Sequence, residues 1–131
     1  MDNKIDKKIL IVEDEVPTAL ALGDKLTHEG YNVIKAGNGK DGIRMALAEH
    51  PDLILADLRM PEMSGLDMIA ELRKDDWGAT VKVMILTNVS DVESIDEAMR
   101  HNTFHYIVKG DTTMENVLQK IKTQFAESEK Q

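Results

Sequence analysis

Short apolar runs alternate with longer amphipathic stretches along the whole chain. Five runs stand out, and most of them are almost continuously hydrophobic: residues 8–12, 32–36, 53–56, 82–86 and 104–108. Runs of this length predict β-strands, and a strand that is apolar on both faces must be covered on both faces. The pattern therefore predicts an α/β fold, in which a five-stranded parallel sheet carries helices on each side.

The stretches between these runs contain signals of helix ends. Pro17 suits the first turn of a helix and Gly30 suits its C-terminal cap, so the first helix is expected over about residues 15–29. The second helix should end by Pro51, because proline cannot continue a helix. Capping-box patterns predict three later helix starts, at residues 64–67, 90–93 and 112–115.

Length and composition indicate one soluble globular domain. The chain has 131 residues, of which 42% are hydrophobic and 31% are charged. Residues 8–126 are expected to form the domain, after a flexible lead-in at residues 1–7 and before a polar tail at residues 127–131.

Charge and cysteine content exclude several classes of function. The formal net charge of -8 disfavours direct binding to nucleic acid or to an anionic membrane surface. The chain has no cysteine, which excludes disulfides and thiolate metal sites and permits a cytoplasmic location. No apolar run approaches the roughly 20 residues needed to cross a bilayer, so no membrane partner is expected.

Polar side chains follow four of the five predicted strands. They are Glu13 and Asp14 after the first strand, Asp57 after the third, Thr87 after the fourth and Lys109 after the fifth. Ligands of open parallel sheets bind beyond the carboxyl ends of the strands. If the strand order is assumed to be 2-1-3-4-5, these side chains converge on one pocket.

Three carboxylates in one pocket repel one another unless a positive charge is supplied. Oxygen ligands favour Mg²⁺ over zinc, which prefers histidine and cysteine. With a metal ion and Lys109 both positive, the pocket could hold a phosphoryl group, and a carboxylate could serve as the nucleophile.

The same segments resemble the receiver domain of two-component response regulators. The matching parts are residues 9–15, residues 53–61 with Gly65, residues 84–87 and residues 106–109. The resemblance implies a flavodoxin-like (βα)5 three-layer sandwich with sheet order 2-1-3-4-5. It also implies a signalling switch in a phosphorelay, which is not an enzyme apart from catalysing its own phosphotransfer and autodephosphorylation.

The resemblance implies that Asp57 accepts the phosphoryl group from a histidine kinase or a histidine phosphotransfer protein. Glu13, Asp14, Asp57 and the backbone carbonyl of Arg59 would hold Mg²⁺, with Mn²⁺ as a substitute. Lys109 would contact the phosphoryl oxygens.

Thr87 and Tyr106 are implied to be switch residues by the same resemblance. Thr87 would move toward the phosphoryl group and, like Lys109, contact its oxygens as part of the catalytic set, and Tyr106 would rotate inward. These movements would remodel the face made by the fourth helix, the fifth strand and the fifth helix, to which a downstream protein target would bind.

Arg59, Asn88 and Val89 are implied to modulate the rate of hydrolysis. The chain departs from the family pattern at Asn88, where alanine is typical, and at Gly110, where the family usually has proline joined through a cis peptide. Both departures adjoin residues expected to contact the phosphoryl group.

Other interpretations remain open. The chain could be a receiver domain cut from a larger regulator or hybrid kinase, or a degenerate receiver that acts as a scaffold. A Mg²⁺-dependent aspartyl phosphohydrolase would need a second acid two residues after Asp57, where the chain has Arg59. A flavodoxin-like nucleotide binder would need a glycine-rich phosphate loop, which does not follow the first strand.

Overall fold

The computed structural model of the chain describes residues 5–88, 91, 93, 95–96, 99, 104–109 and 113–129. Its strands are β1 (Lys8–Val12), β2 (Asn32–Ala36), β3 (Leu53–Asp57), β4 (Lys82–Thr87) and β5 (His105–Val108). Its helices within the described residues are α1 (Val16–His28), α2 (Gly39–Glu49), α3 (Gly65–Leu72) and Met114–Glu129, named here the C-terminal helix. The helix predicted to start at residues 90–93 lies largely outside the described residues.

The five strands form one parallel sheet in the order β2-β1-β3-β4-β5. This confirms both the α/β class and the assumed strand order. Because the order places β1, β3, β4 and β5 side by side, the residues that end these four strands lie along one edge of the sheet.

Two apolar clusters cover the two faces of the sheet. Successive side chains of a strand point to opposite faces, so Leu10 and Ile54 pack under α2 and α3, whereas Ile11 and Leu55 pack under α1 and the C-terminal helix. The central strand β3 is buried along its whole length. The edge strand β2 is partly exposed, because it has a neighbour on one side only.

The helix ends follow the predicted signals closely. Pro17 lies in the first turn of α1, and Gly30 beyond its end has a φ of 105°, which is a conformation that favours glycine. Ser64 caps α3 by accepting a hydrogen bond from the amide of Asp67. The cap of the C-terminal helix comes from Thr113, one residue later than the pattern predicts.

Two strands are each one residue longer than predicted, in a way that matters for the site. Asp57 and Thr87 are the last residues of β3 and β4, because the ladder between these strands pairs Asp57 with Leu86 and continues through a bond from the Leu58 amide to the Leu86 carbonyl at 3.0 Å. The C-terminal helix continues to Glu129, inside the segment where a polar tail is predicted.

Candidate functional site

Three carboxylates meet at the carboxyl edge of the sheet. Glu13 and Asp14 follow β1 and Asp57 ends β3, and one oxygen from each lies within 4.8 Å of the others. Glu13 is 3% exposed and Asp57 is 6% exposed, whereas Asp14 is exposed to solvent. The convergence follows directly from the pairing of β1 with β3, since parallel neighbours end at the same edge.

Glu13 has an electrostatic environment that favours a cation. Its Oε1 accepts a hydrogen bond from the Glu15 amide at 3.1 Å, but its Oε2 is buried without a hydrogen-bond partner. Burial raises the pKa of Glu13 to about 7, and the charges of Asp57 and Asp14 add to this effect while Lys109 opposes it. A buried carboxylate oxygen without a donor is costly, so these residues fit a hard divalent cation such as Mg²⁺.

Lys109 contacts the acidic cluster directly. Its Nζ lies 2.9 Å from Oδ1 of Asp57. Burial alone lowers the pKa of Lys109, but the hydrogen bond and the charge of Asp57 outweigh it and hold the pKa above its ordinary value. The ammonium therefore stays charged beside Asp57, as an anion-binding group requires. Gly110, one of the two departures from the family pattern, lies outside the described residues.

Thr87 lies beside Asp57 at the end of the neighbouring strand and is 1% exposed. Its hydroxyl donates a hydrogen bond to the backbone carbonyl of Asn88 at 3.1 Å. Asn88 is exposed, and its backbone carbonyl is the group that accepts this hydrogen bond. Val89 lies outside the described residues.

Arg59 forms an ion pair that sequence reasoning does not anticipate. Its Nε donates to Oδ2 of Asp91 at 2.8 Å, and its Nη2 contacts Oδ1 at 2.5 Å. The Arg59 side chain is 71% exposed but that of Asp91 is only 11% exposed. The hydrogen bond to Arg59 lowers the pKa of Asp91. The two residues are 32 positions apart, and Asp91 had a local explanation as part of a capping box.

Tyr106 lies two residues before the carboxyl end of its strand. It lies on β5, half-buried against the apolar cluster under α2 and α3, and it lines a groove with Met99 and Lys120. The groove lies on the side where a protein-binding face is predicted. Most of the predicted fourth helix, which would complete that face, lies outside the described residues.

Gly65 allows α3 to begin directly against the end of β3. Its amide donates to the carbonyl of Leu58 at 2.8 Å, and a Cβ added at this position would lie 2.6 Å from the backbone oxygen of Asp57. Only glycine permits this approach without displacement of the backbone that carries Asp57.

Comparison with known proteins gives one consistent result. A family model described as the response regulator receiver domain matches residues 9–122. The transcriptional regulatory protein GlrR of Escherichia coli (strain K12) is 36% identical over 101 residues, which are 77% of this chain and 22% of GlrR. The response regulator ArlR of Staphylococcus aureus (strain Mu50 / ATCC 700699) is 37% identical over 102 residues, which are 78% of this chain and 45% of ArlR.

A solved structure agrees with these matches. The crystal structure of a response regulator receiver domain protein from Clostridium thermocellum superposes with a TM-score of 0.84 at 26% identity, and the alignment covers 94% of this chain and 97% of that one. The chain spans less than half the length of GlrR and of ArlR. In the part of the chain that the structure describes, no helix is both long enough and apolar enough to cross a membrane.

Proposed function

This chain belongs to the response regulator receiver domain family, whose members are signalling switches of two-component systems, and on that premise we propose that Asp57 is its phosphoryl acceptor. The donor is a histidine kinase or a histidine phosphotransfer protein, and the reaction takes place in the cytoplasm. The observation that carries the proposal is the position of Asp57, a nearly buried carboxylate between a lysine at 2.9 Å and two further acids.

The transfer is a displacement at phosphorus. A carboxylate oxygen of Asp57 attacks the phosphorus of the donor's phosphohistidine, the phosphorus–nitrogen bond breaks, and its electron pair returns to the imidazole. Such transfers depend chiefly on positioning the reactants and on neutralising charge, so the surroundings of Asp57 determine its reactivity.

Receiver domains bind Mg²⁺ through acidic residues, and this chain has such a cluster in Glu13, Asp14 and Asp57. We assign the metal site to these three side chains together with the backbone carbonyl of Arg59. When bound, Mg²⁺, or Mn²⁺ in its place, supplies positive charge against the phosphoryl oxygens. The unpartnered Oε2 of Glu13 and the three converging oxygens support this assignment.

Lys109 and Thr87 serve the phosphoryl group in different ways. The ammonium of Lys109 already lies beside Asp57, so it can pair with a phosphoryl oxygen without a long movement. The hydroxyl of Thr87 is bound to the Asn88 carbonyl, so it must be released before it can donate to the phosphoryl group. Thr87 is therefore the residue through which phosphorylation reaches the segment after β4.

The output is a change in a protein-binding face that includes β5 and the C-terminal helix. Tyr106 is the switch residue of this face, and its half-buried position beside a groove supports movement between an inward and an outward position. A downstream protein target, or a further domain of a longer chain, would bind there. Arg59, Asn88 and Val89 would set the lifetime of the phosphorylated state.

The test compares two carboxylates at opposite ends of β3. We expect Asp57→Asn to abolish phosphate incorporation from acetyl phosphate with Mg²⁺ present, because the amide is not a nucleophile for this reaction. Asp52→Asn is the matched control, since it removes a carboxylate just before β3 and should label like the parent. Undiminished labelling of Asp57→Asn, measured by intact-protein mass spectrometry, would sink the proposal.

A further inference from the structure

The Arg59–Asp91 ion pair joins the segments that follow two neighbouring strands. Arg59 lies two residues after the end of β3, and Asp91 lies four residues after the end of β4. Both carboxylate oxygens of Asp91 are engaged by the guanidinium. A planar fork that binds both oxygens of a carboxylate restricts orientation as well as distance. The pair therefore ties the two segments together just beyond the proposed acceptor.

The same segment also binds the Thr87 hydroxyl. The carbonyl of Asn88 accepts two hydrogen bonds, one from the Thr87 hydroxyl at 3.1 Å and one from the Asp91 amide at 3.0 Å. Asp91 thus contributes its amide to the acceptor that holds Thr87 and its carboxylate to the pair with Arg59. These contacts form one connected chain from Thr87 through Asn88 and Asp91 to Arg59.

We propose that the Arg59–Asp91 ion pair is an autoinhibitory clasp, which holds Thr87 and Asn88 in the arrangement of the unphosphorylated chain and so opposes phosphorylation of Asp57. The proposal rests on the assignment of Asp57 as the phosphoryl acceptor. Asp91 acts as a positioning residue, because it touches neither the acceptor nor the phosphoryl group but acts on the residues that do.

The physical reason is competition for one hydroxyl proton. A phosphoryl group on Asp57 brings three strong acceptor oxygens next to Thr87, and a bond to a charged oxygen is stronger than one to a neutral carbonyl. For Thr87 to donate to it, the hydroxyl must leave the Asn88 carbonyl. The clasp resists the accompanying movement, since Asp91 is held from both its backbone and its side chain.

Linkage sets the size and sign of the expected effect. If the clasp is made only in the unphosphorylated arrangement, breaking it favours any ligand that binds the other arrangement. Because Arg59 is largely exposed, the clasp should stabilise its arrangement about as much as a good surface ion pair does. Its removal should therefore lower the dissociation constant of such a ligand about threefold.

The experiment uses beryllofluoride, which mimics a phosphoryl group on a carboxylate, at saturating Mg²⁺. Its apparent dissociation constant is measured by fluorine NMR for the unsubstituted chain (the parent), for Arg59→Gln and for the double variant Arg59→Gln/Asp91→Asn. Through-space electrostatics predicts that Arg59→Gln weakens anion binding and that the charge-balanced double variant leaves it unchanged. The clasp predicts about threefold tighter binding in both variants.

Controls separate the clasp from general effects. Glu71→Gln/Lys74→Gln removes an exposed ion pair within and just after α3 and should leave beryllofluoride binding unchanged. The Mg²⁺ dissociation constant of the double variant is measured as well, because the backbone carbonyl of Arg59 belongs to the assigned metal site. The clasp predicts a larger change in beryllofluoride binding than in Mg²⁺ binding. An equal shift in Mg²⁺ and beryllofluoride binding would place the effect at the metal site and overturn the clasp.

The outcomes distinguish this inference from the function on which it rests. If the parent binds beryllofluoride but neither variant binds it more tightly, the clasp is refuted and the acceptor assignment stands. If the parent does not bind beryllofluoride with Mg²⁺ at all, both proposals fail. Tighter binding by Arg59→Gln, against the electrostatic expectation, supports the clasp most directly.

Discussion

The two ends of the sheet treat their charged groups in opposite ways. At the amino end, the backbone amide of Lys8 donates to Asp52 at 2.7 Å and its ammonium pairs with Glu49 at 3.0 Å. At the carboxyl end, Glu13, Asp14 and Asp57 crowd together with Lys109 as their nearby cation. The charged groups cited are thus paired at the amino end, whereas three carboxylates share one lysine at the carboxyl end.

The difference shows where the fold gives up stability for function. Both ends belong to one sheet that lies between the same two apolar clusters, so the strand topology does not explain the contrast. A buried carboxylate oxygen without a donor, as in Glu13, is a cost that surrounding structure must offset. Such costs concentrate at functional sites, where a ligand relieves them.

The largest expected effects come from two glycines, one near each end. An added Cβ would lie 2.6 Å from the Asp57 backbone oxygen at Gly65 and 2.1 Å from the Leu72 oxygen at Gly78. We expect Gly65→Ala and Gly78→Ala each to lower the free energy of unfolding by about 2 to 3 kcal/mol, because the backbone must shift. Denaturant unfolding measures both.

Ligand binding separates these two variants. Gly65→Ala should also weaken Mg²⁺ binding, because it displaces the strand end that carries Asp57, whereas Gly78→Ala should not. Gly37→Ala is the control, since its added Cβ meets nothing within 4 Å and should change stability by less than about 0.5 kcal/mol. Equal loss of Mg²⁺ affinity in both destabilised variants would erase the contrast between the two ends.

The next effect concerns the buried carboxylate of Glu13. Burial raises its pKa from 4.5 to about 7. Its contribution to the free energy of unfolding is therefore fully present below pH 4.5 and is lost as the pH rises through about 7. In a chelator at pH 8, Glu13→Gln should therefore raise the free energy of unfolding by about 1 to 2 kcal/mol. At pH 4.5 the gain should nearly vanish.

With Mg²⁺ added at pH 8, the parent should become more stable than Glu13→Gln. The parent should gain stability from the ion, whereas Glu13→Gln should gain much less because one ligand has lost its charge. Glu49→Gln at the amino end is the matched control, and its stability should change by less than about 0.5 kcal/mol with no dependence on Mg²⁺. If Glu13→Gln were less stable than the parent in chelator at pH 8, the buried carboxylate of Glu13 would not be the cost to stability inferred from its burial.

The smallest expected effect is at the amino end, where the sign is opposite. Asp52→Ala removes the acceptor of the Lys8 amide and should lower the free energy of unfolding by about 1 kcal/mol. Asp52→Asn keeps a side-chain oxygen and should cost less. If Asp52→Ala were stabilising, as Glu13→Gln is expected to be, then the carboxylates at both ends of the sheet would lower stability and the contrast between the ends would be refuted.

Much of the fold and most of the site were predictable from local patterns. Three strands shift by one residue, because ladder pairing decides where a strand ends, as the Asp57–Leu86 pair shows. The side chains of Glu13, Asp14, Asp57 and Lys109 converge as the strand order required. The roles assigned to them remain predictions.

The Arg59–Asp91 pair was not predictable, and neither was the stacking of His50 on Trp77 with ring centroids 4.3 Å apart. Each joins residues far apart in sequence, and each residue has an ordinary local interpretation. Long-range pairs of this kind carry no periodicity and no spacing signal.

By itself, the sequence determined the sheet, its two covered faces and the identity of the groups at its edge, because hydrophobic period and helix caps act over a few residues. Only the tertiary structure decided how those groups are matched. It left one oxygen of Glu13 without a partner, turned the Thr87 hydroxyl to the Asn88 carbonyl and joined Arg59 to Asp91. Burial and pairing depend on neighbours brought together by the whole fold.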